Sequence, residues 1–228
     1  MILFHKYFMK IRNNRIIAAA ELDKAVGILA AGGVVAFPTE TFYGLAADAG
    51  NEGAIDQIFT LKGRSFRNPI ALIIAAPPDL EALTEGISDN DHKLMAAFWP
   101  GPLTLVFRAV PAVSFRLTAG TGKIGVRISS HPIAQALAAG LGRPITATSA
   151  NLSGHPGCTA ADEVSKQLNS DSLTILNGGP TPGGKGSTIL DVTVHPPIIL
   201  REGMISKAAI ANILSGFKPD FKKTRLDY

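Results

Sequence analysis

The feature that most constrains this chain is a repeated change of hydrophobic period. Segments with apolar residues every three or four positions give way, at Gly or Pro, to short unbroken apolar runs. Leu22, Val26 and Leu29 keep helical spacing, Gly32-Gly33 supplies a stop, and Val34-Val35 begins a β-branched run. Ile55, Ile58, Phe59 and Leu61 fall on one face of a second helix. The continuous run 70–76 that follows suits a strand buried on both faces. Helix 89–98, the break Pro100-Gly101-Pro102 and strand 103–107 continue the alternation. Strand 124–128, helix 133–139, strand 145–148, helix 161–168 and strand 173–176 come next. Residues 178–186 read as a loop, 189–194 and 198–200 as a local β-pair, and 207–214 as a short helix. Such alternation predicts an α/β fold: a twisted mixed, largely parallel sheet with flanking helices.

With 228 residues, 46% hydrophobic and 18% charged, the chain can bury one sizeable core, and a single domain over 1–228 is expected. Residues 1–17 interleave apolar residues with His5, Lys6, Lys10, Arg12 and Arg15 and so lack the apolar core of a signal peptide. No apolar stretch reaches the roughly 18–20 residues that span a bilayer, so no membrane association is expected. The single cysteine, Cys158, cannot close an internal disulfide, which fits a reducing compartment, with the cytoplasm as the simplest. A net charge of +4 and a pI near 9.3 suit anionic partners, nucleotide or RNA, without choosing between them. The basic tail Lys218, Lys222, Lys223 and Arg225 reads as a solvated terminus.

Several polar clusters follow buried runs directly, where open α/β sheets bind ligands. Pro38-Thr39-Glu40-Thr41-Phe42-Tyr43-Gly44-Leu45 is one, although Thr39 or Thr41 could equally cap a turn. Lys62, Arg64 and Arg67 form a second, able to clamp a polyphosphate or simply to complement a helix C-terminus. Lys123 and Arg127, four apart on a strand, share one face and imply an anion or paired carboxylates. Thr146-Ala147-Thr148-Ser149-Ala150-Asn151-Leu152-Ser153-Gly154 is the densest cluster, and Ser149 and Asn151 can bond phosphate or carboxylate, or cap a helix.

Gly179 to Lys185 fits the P-loop spacing as far as the lysine, but Gly186 follows where Ser or Thr is needed, and the next residues read as strand. A Gly-rich lid with Ser187 reaching a ligand from the strand start fits better, and a plain surface loop fits equally well. His5, His92, His131, His155 and His195 form no metal-binding spacing, so no metal held by protein side chains is expected. Cys158 and Ser149 carry no nucleophile signature.

The segments at 38–45, Lys62-x-Arg64, Trp99-Pro100-Gly101-Pro102-Leu103-Thr104, Val126-Arg127, Ser149 to Gly154, Ser187-Thr188-Ile189 and Leu200-Arg201-Glu202-Gly203 together resemble the YrdC-like family in order and spacing, over about residues 18–205. The resemblance implies a twisted α/β sheet with a basic concave face. It also implies synthesis of L-threonylcarbamoyl-AMP and pyrophosphate from L-threonine, bicarbonate and ATP, with Mg2+, for threonylcarbamoyladenosine modification of tRNA. This is a nucleotidyltransferase reaction. Carried over, Thr39, Arg127, Ala147 and Ser187 would hold L-threonine, while Lys62, Arg64, Lys123, Ser149, Asn151 and Arg201 would contact ATP, with Lys62 and Arg64 catalytic through charge. The product would pass to a threonylcarbamoyl transferase complex. The chain looks like the single-domain form. It departs from the family's pattern in lacking a His in the strand after the basic cluster and in having Thr148-Ser149 where Pro-Ser is common. Two other readings use the same residues: a tRNA or double-stranded RNA binder without catalysis, and a nucleotide-hydrolysing relative.

Overall fold

The computed structural model describes residues 16–214 and the backbone of 220–221. Strands β1 (Ile16–Ala18), β2 (Val34–Pro38), β3 (Tyr43–Ala46), β8 (Thr148–Ser149) and β9 (Leu173–Asn177) build one sheet, ordered β1-β9-β2-β3-β8. Strands β4 (Leu72–Ile73), β5 (Leu103–Arg108), β6 (Lys123–Arg127), β7 (Ile145–Thr146), β10 (Thr188–Asp191), β11 (Ile198–Arg201) and β12 (Asp220–Phe221) build another, ordered β12-β11-β10-β5-β6-β4-β7. The expected mixed α/β architecture is present, distributed over two sheets. Among the described residues parallel and antiparallel pairings are equal in number, five each, the antiparallel ones being β2–β3, β3–β8, β4–β7, β5–β6 and β10–β11.

Burial explains why β2 shows no polar alternation. Val34 and Ala36 join a core drawn from both sheets, while Val35 and Phe37 join a second core under helices α1 (Leu22–Ala30) and α5 (Pro132–Leu141). Both faces are covered, so every position is apolar. The run 70–76 behaves alike, with Leu72 in the shared core and Ile73 in the other, although only two of its residues are ladder-paired. Helix starts follow local chemistry: the Asn51 side chain accepts from Ala54 N ahead of α2 (Glu52–Lys62), and Ser88 with Asp91 forms a capping box on α3 (Asp89–Phe98). After α1 the chain turns at Gly32, whose φ of 82° is easy only for glycine. Two short helices, α4 (Phe115–Thr118) and α6 (Ala161–Gln167), and α7 (Lys207–Ile213) complete the set. The short α4 and β1, whose residues belonged to an expected N-terminal extension, were outside the sequence-based expectation. No helix of the described residues is long and apolar enough to cross a membrane. The basic tail lies outside the described residues.

The expected strand 145–148 is divided. Ile145 and Thr146 pair with β4 in the second sheet, Thr148 and Ser149 pair with β3 in the first, and between them Ala147 N donates to Ala71 O at 2.8 Å. Just past β11, Gly203 approaches the start of the neighbouring β10 so closely that a Cβ there would lie 2.1 Å from Gly186 O. Gly203→Ala is therefore expected to destabilise the protein by about 2 kcal/mol, lowering Tm by about 4–8 °C in thermal unfolding; an unchanged Tm would show that this contact is loose.

Candidate active site

Beside the crossover at Ala147 lies a cleft of about 190 Å³. One wall is the turn joining β2 to β3. Thr39 Oγ donates to Phe42 O at 2.7 Å and accepts from Thr41 N at 3.2 Å, so the hydroxyls of Thr39 and Thr41 are fixed by a local turn while both line the cleft. The opposite wall is the second sheet: Thr104 on β5, Arg127 at the end of β6, Ser187 before β10 and Arg201 at the end of β11. The hydroxyls of Thr104 and Ser187 share a hydrogen bond of 3.0 Å, and Arg201 Nη2 donates to Ser187 Oγ at 3.2 Å. The floor is 147–151. Asn151 donates both amide hydrogens, to Leu152 O and His155 O, each at 2.8 Å, and its buried Oδ1 has no hydrogen-bond partner.

The two cations expected on one strand face each have a carboxylate. Arg127 Nε lies 3.3 Å from Glu40 Oε1, and Lys123 Nζ lies 2.8 Å from Asp191 Oδ2. Neither carboxylate was singled out as a partner in the sequence, because each comes from a segment distant along the chain. Four residue steps along the strand separate Lys123 from Arg127, about 13 Å at the usual rise, and of the two Arg127 reaches the cleft.

Of the ten expected site residues, Thr39, Arg127, Ala147, Ser149, Asn151, Ser187 and Arg201 line one cleft. Lys62, Arg64 and Lys123 do not. Lys62, in the last turn of α2, is buried and donates to the backbone carbonyls of Ser149 and, at 2.9 Å, of Asn151. It holds the floor from behind. Arg64 Nη2 donates to Pro69 O at 3.0 Å. Thr41, Phe42, Tyr43, Thr104, His155 and Gly157 also line the cleft. Of these, Thr41, Phe42, Tyr43 and Thr104 fall inside the quoted motifs, and the polar groups of Thr41, Tyr43 and Thr104 near strand ends were the available signal.

The family model Sua5/YciO/YrdC, described as telomere recombination, matches residues 27–203. The threonylcarbamoyl-AMP synthase of Bacillus subtilis is 41% identical over 88% of this chain, and that of Vibrio vulnificus 36% identical over 81%. A crystal structure of Pyrococcus abyssi Sua5 complexed with L-threonine superposes with a TM-score of 0.88 at 36% identity over 93% of this chain. The chain spans 99% of the Vibrio protein but only 58% of the Bacillus protein and 65% of the Pyrococcus chain.

Burial, reinforced by the neighbouring Arg64 charge, pulls the Lys62 ammonium down to about 7. A neutral amine still has two N–H groups for its two carbonyls. The unfolded chain keeps the ordinary value of 10.5, so between about 7 and 10.5 it binds the extra proton and folding is favoured as pH rises; below 7 the cost of burying the charge is felt in full. Lys62→Met removes that slope and strands two carbonyls. The stability advantage of the wild type over Lys62→Met is expected to widen from pH 7 to pH 9 in denaturant titrations, and a gap independent of pH would show that Lys62 titrates normally.

Proposed function

Because the chain belongs to the Sua5/YciO/YrdC family, we propose that it is an L-threonylcarbamoyladenylate synthase, a nucleotidyltransferase joining L-threonine, bicarbonate and the adenylyl group of ATP. The observation that carries this reading is the convergence of Arg127, Thr39, Ala147 and Ser187 with Ser149, Asn151 and Arg201 in one cleft. The Arg127 guanidinium suits the threonine carboxylate, which a planar fork can grip through two parallel hydrogen bonds. The Ala147 N–H is committed to Ala71 O, so a backbone contact at Ala147 goes through its carbonyl, an acceptor suited to the threonine amine. With the Thr39 proton committed to Phe42 O, Thr39 meets the amino acid's own hydroxyl as an acceptor, and Ser187 offers a second hydroxyl.

The nucleotide lies across the floor toward Arg201. The Ser149 hydroxyl and the Arg201 guanidinium are donors for phosphate oxygens. Asn151 is different: both its N–H groups are used, so its open Oδ1 accepts from a ribose hydroxyl or a base amine rather than from phosphate. Mg2+ would come as the counter-ion of ATP and would supply charge neutralisation at its phosphates, since the described residues hold no cluster of His, Cys, Asp or Glu able to bind a metal. Bicarbonate condenses with the threonine amine to a carbamate with loss of water. A carbamate oxygen then attacks the α-phosphorus and pyrophosphate departs. No side-chain nucleophile is involved; the chain contributes alignment and fixed charge. Lys62 acts by holding Ser149 and Asn151, with Arg64 close behind. The product, reactive at its mixed anhydride, passes to a transferase acting on tRNA.

The test is pyrophosphate release with ATP, Mg2+ and bicarbonate, comparing L-threonine, L-serine and no amino acid. Threonine-dependent release with an adduct of AMP and threonylcarbamate in the mass spectrum is expected. Turnover that ignores threonine would favour a nucleotide hydrolase, and RNA binding without ATP binding a nucleic-acid module. Arg127→Ala is expected to raise the threonine KM at least tenfold with the ATP KM within threefold, and an equal rise in both would remove Arg127 from the amino-acid end.

A further inference from the structure

Glu40 lies between two cleft-lining threonines yet does not line the cleft itself. Its side chain is 11% exposed and the Arg127 side chain 7%. Glu40 Oε1 and Arg127 Nε face each other at 3.3 Å, and neither atom has an aligned hydrogen bond of its own. The other carboxylate oxygen, Oε2, accepts the Ser129 hydroxyl. Ser129 is itself fixed, since its Oγ accepts from His131 N at 3.2 Å and its carbonyl accepts from Gln135 Nε2 at 2.8 Å. A chain of contacts therefore runs from the start of α5 through Ser129 and Glu40 to the Nε edge of Arg127.

An arginine side chain has many rotamers to lose, and its fork binds a carboxylate well only when aimed. With Nε facing Glu40, the two Nη groups remain for the cleft that Arg127 lines. We propose that Glu40 is a positioning residue for amino-acid binding, fixing the Arg127 guanidinium so that its Nη fork meets the substrate carboxylate. This rests on the reading of Arg127 given above. Charge alone makes the opposite prediction: a second carboxylate on Arg127 is repelled by Glu40, so removing Glu40 would tighten amino-acid binding. The two effects are separable because glutamine discards the charge and keeps an oxygen for Arg127 Nε, while the Ser129 hydroxyl can turn to accept from the new amide.

The experiment measures threonine and ATP KM values for pyrophosphate release in the full chain, alongside Tm. Glu40→Ala is expected to raise the threonine KM at least tenfold with the ATP KM within twofold, and Glu40→Gln to restore the threonine KM to within threefold of wild type. An unchanged or lowered threonine KM in Glu40→Ala overturns the proposal, as does a joint rise of both KM values with a fallen Tm. Should Glu40→Ala not fold, Ser129→Ala, which frees Glu40 on its far side, is expected to raise the threonine KM about threefold, and an unchanged value there overturns it equally. Wild-type turnover indifferent to threonine sinks the synthase reading and this one together; threonine-dependent wild type with an unaffected Glu40→Ala sinks this one alone.

Discussion

The structure turns on one side chain at the seam between its two sheets. Thr146 Oγ accepts from Ala47 N and donates to Leu45 O, both at 2.9 Å, while its own N–H donates to Ala47 O at 3.0 Å. A β-bridge between Asp48 and Ile145 extends the stitch. Thr146 therefore belongs to the ladder of the second sheet and is bonded by its hydroxyl to β3 of the first sheet and the residue just past it. Buried backbone groups must be paired somewhere, and here one hydroxyl pairs two of them across sheets. Past this point the chain changes sheets at Ala147, and beside that crossover lies the cleft.

Lys62 performs a related task one layer behind. Its ammonium answers two carbonyls of the segment just after the crossover, so the floor is tied to the end of α2 as well as to the sheets. Its reduced basicity is the consequence of that location. A charge buried among apolar groups is costly, and the neighbouring Arg64 adds repulsion, so the proton is held weakly. Arg127 avoids this cost through Glu40, and Lys123 through Asp191. The Lys123 pair is partly exposed and contributes at most about 1 kcal/mol. The Arg127 pair is deeper, and its worth lies in direction more than in stability.

How much of this was legible in the sequence follows from which effects are local. Helix α3 was expected at 89–98 and occurs there, because Ser88 and Asp91 cap it and Pro100 ends it. The both-face burial of β2 was legible as Val34-Val35, since a doubly covered strand cannot afford polar positions. The division of 145–149 was not, because a change of sheet is decided by which edges are free, and that depends on segments a hundred residues away. The number of sheets was hidden for the same reason. Within the site, polar residues at strand ends marked the walls. Lys62 misled: a cation in a last helical turn reads as a ligand contact or a dipole partner, whereas packing turns it inward onto carbonyls. Glu40 gave no signal beyond being one residue in a polar turn; its importance appears only when β6 brings Arg127 beside it.

The distribution of donors and acceptors limits what the cleft can do. Its walls offer hydroxyls and two guanidinium groups, and its floor adds the unpaired acceptor of Asn151. Thr39 and Thr41 are fixed by their own turn and Ser187 by Thr104 and Arg201, so these groups meet a ligand already oriented. That preorganisation is useful where two anions must be held together and charge must move onto a leaving group, because groups fixed in advance need not reorganise during the reaction. It is less useful for proton abstraction, which calls for a base poised near neutral pH at the reacting atom. Lys62, whose ammonium is pulled down to about 7, has its nitrogen turned onto backbone carbonyls, and His155 is the histidine among the lining residues. Alignment and fixed charge are thus what the hydroxyls and guanidinium groups of this cleft supply.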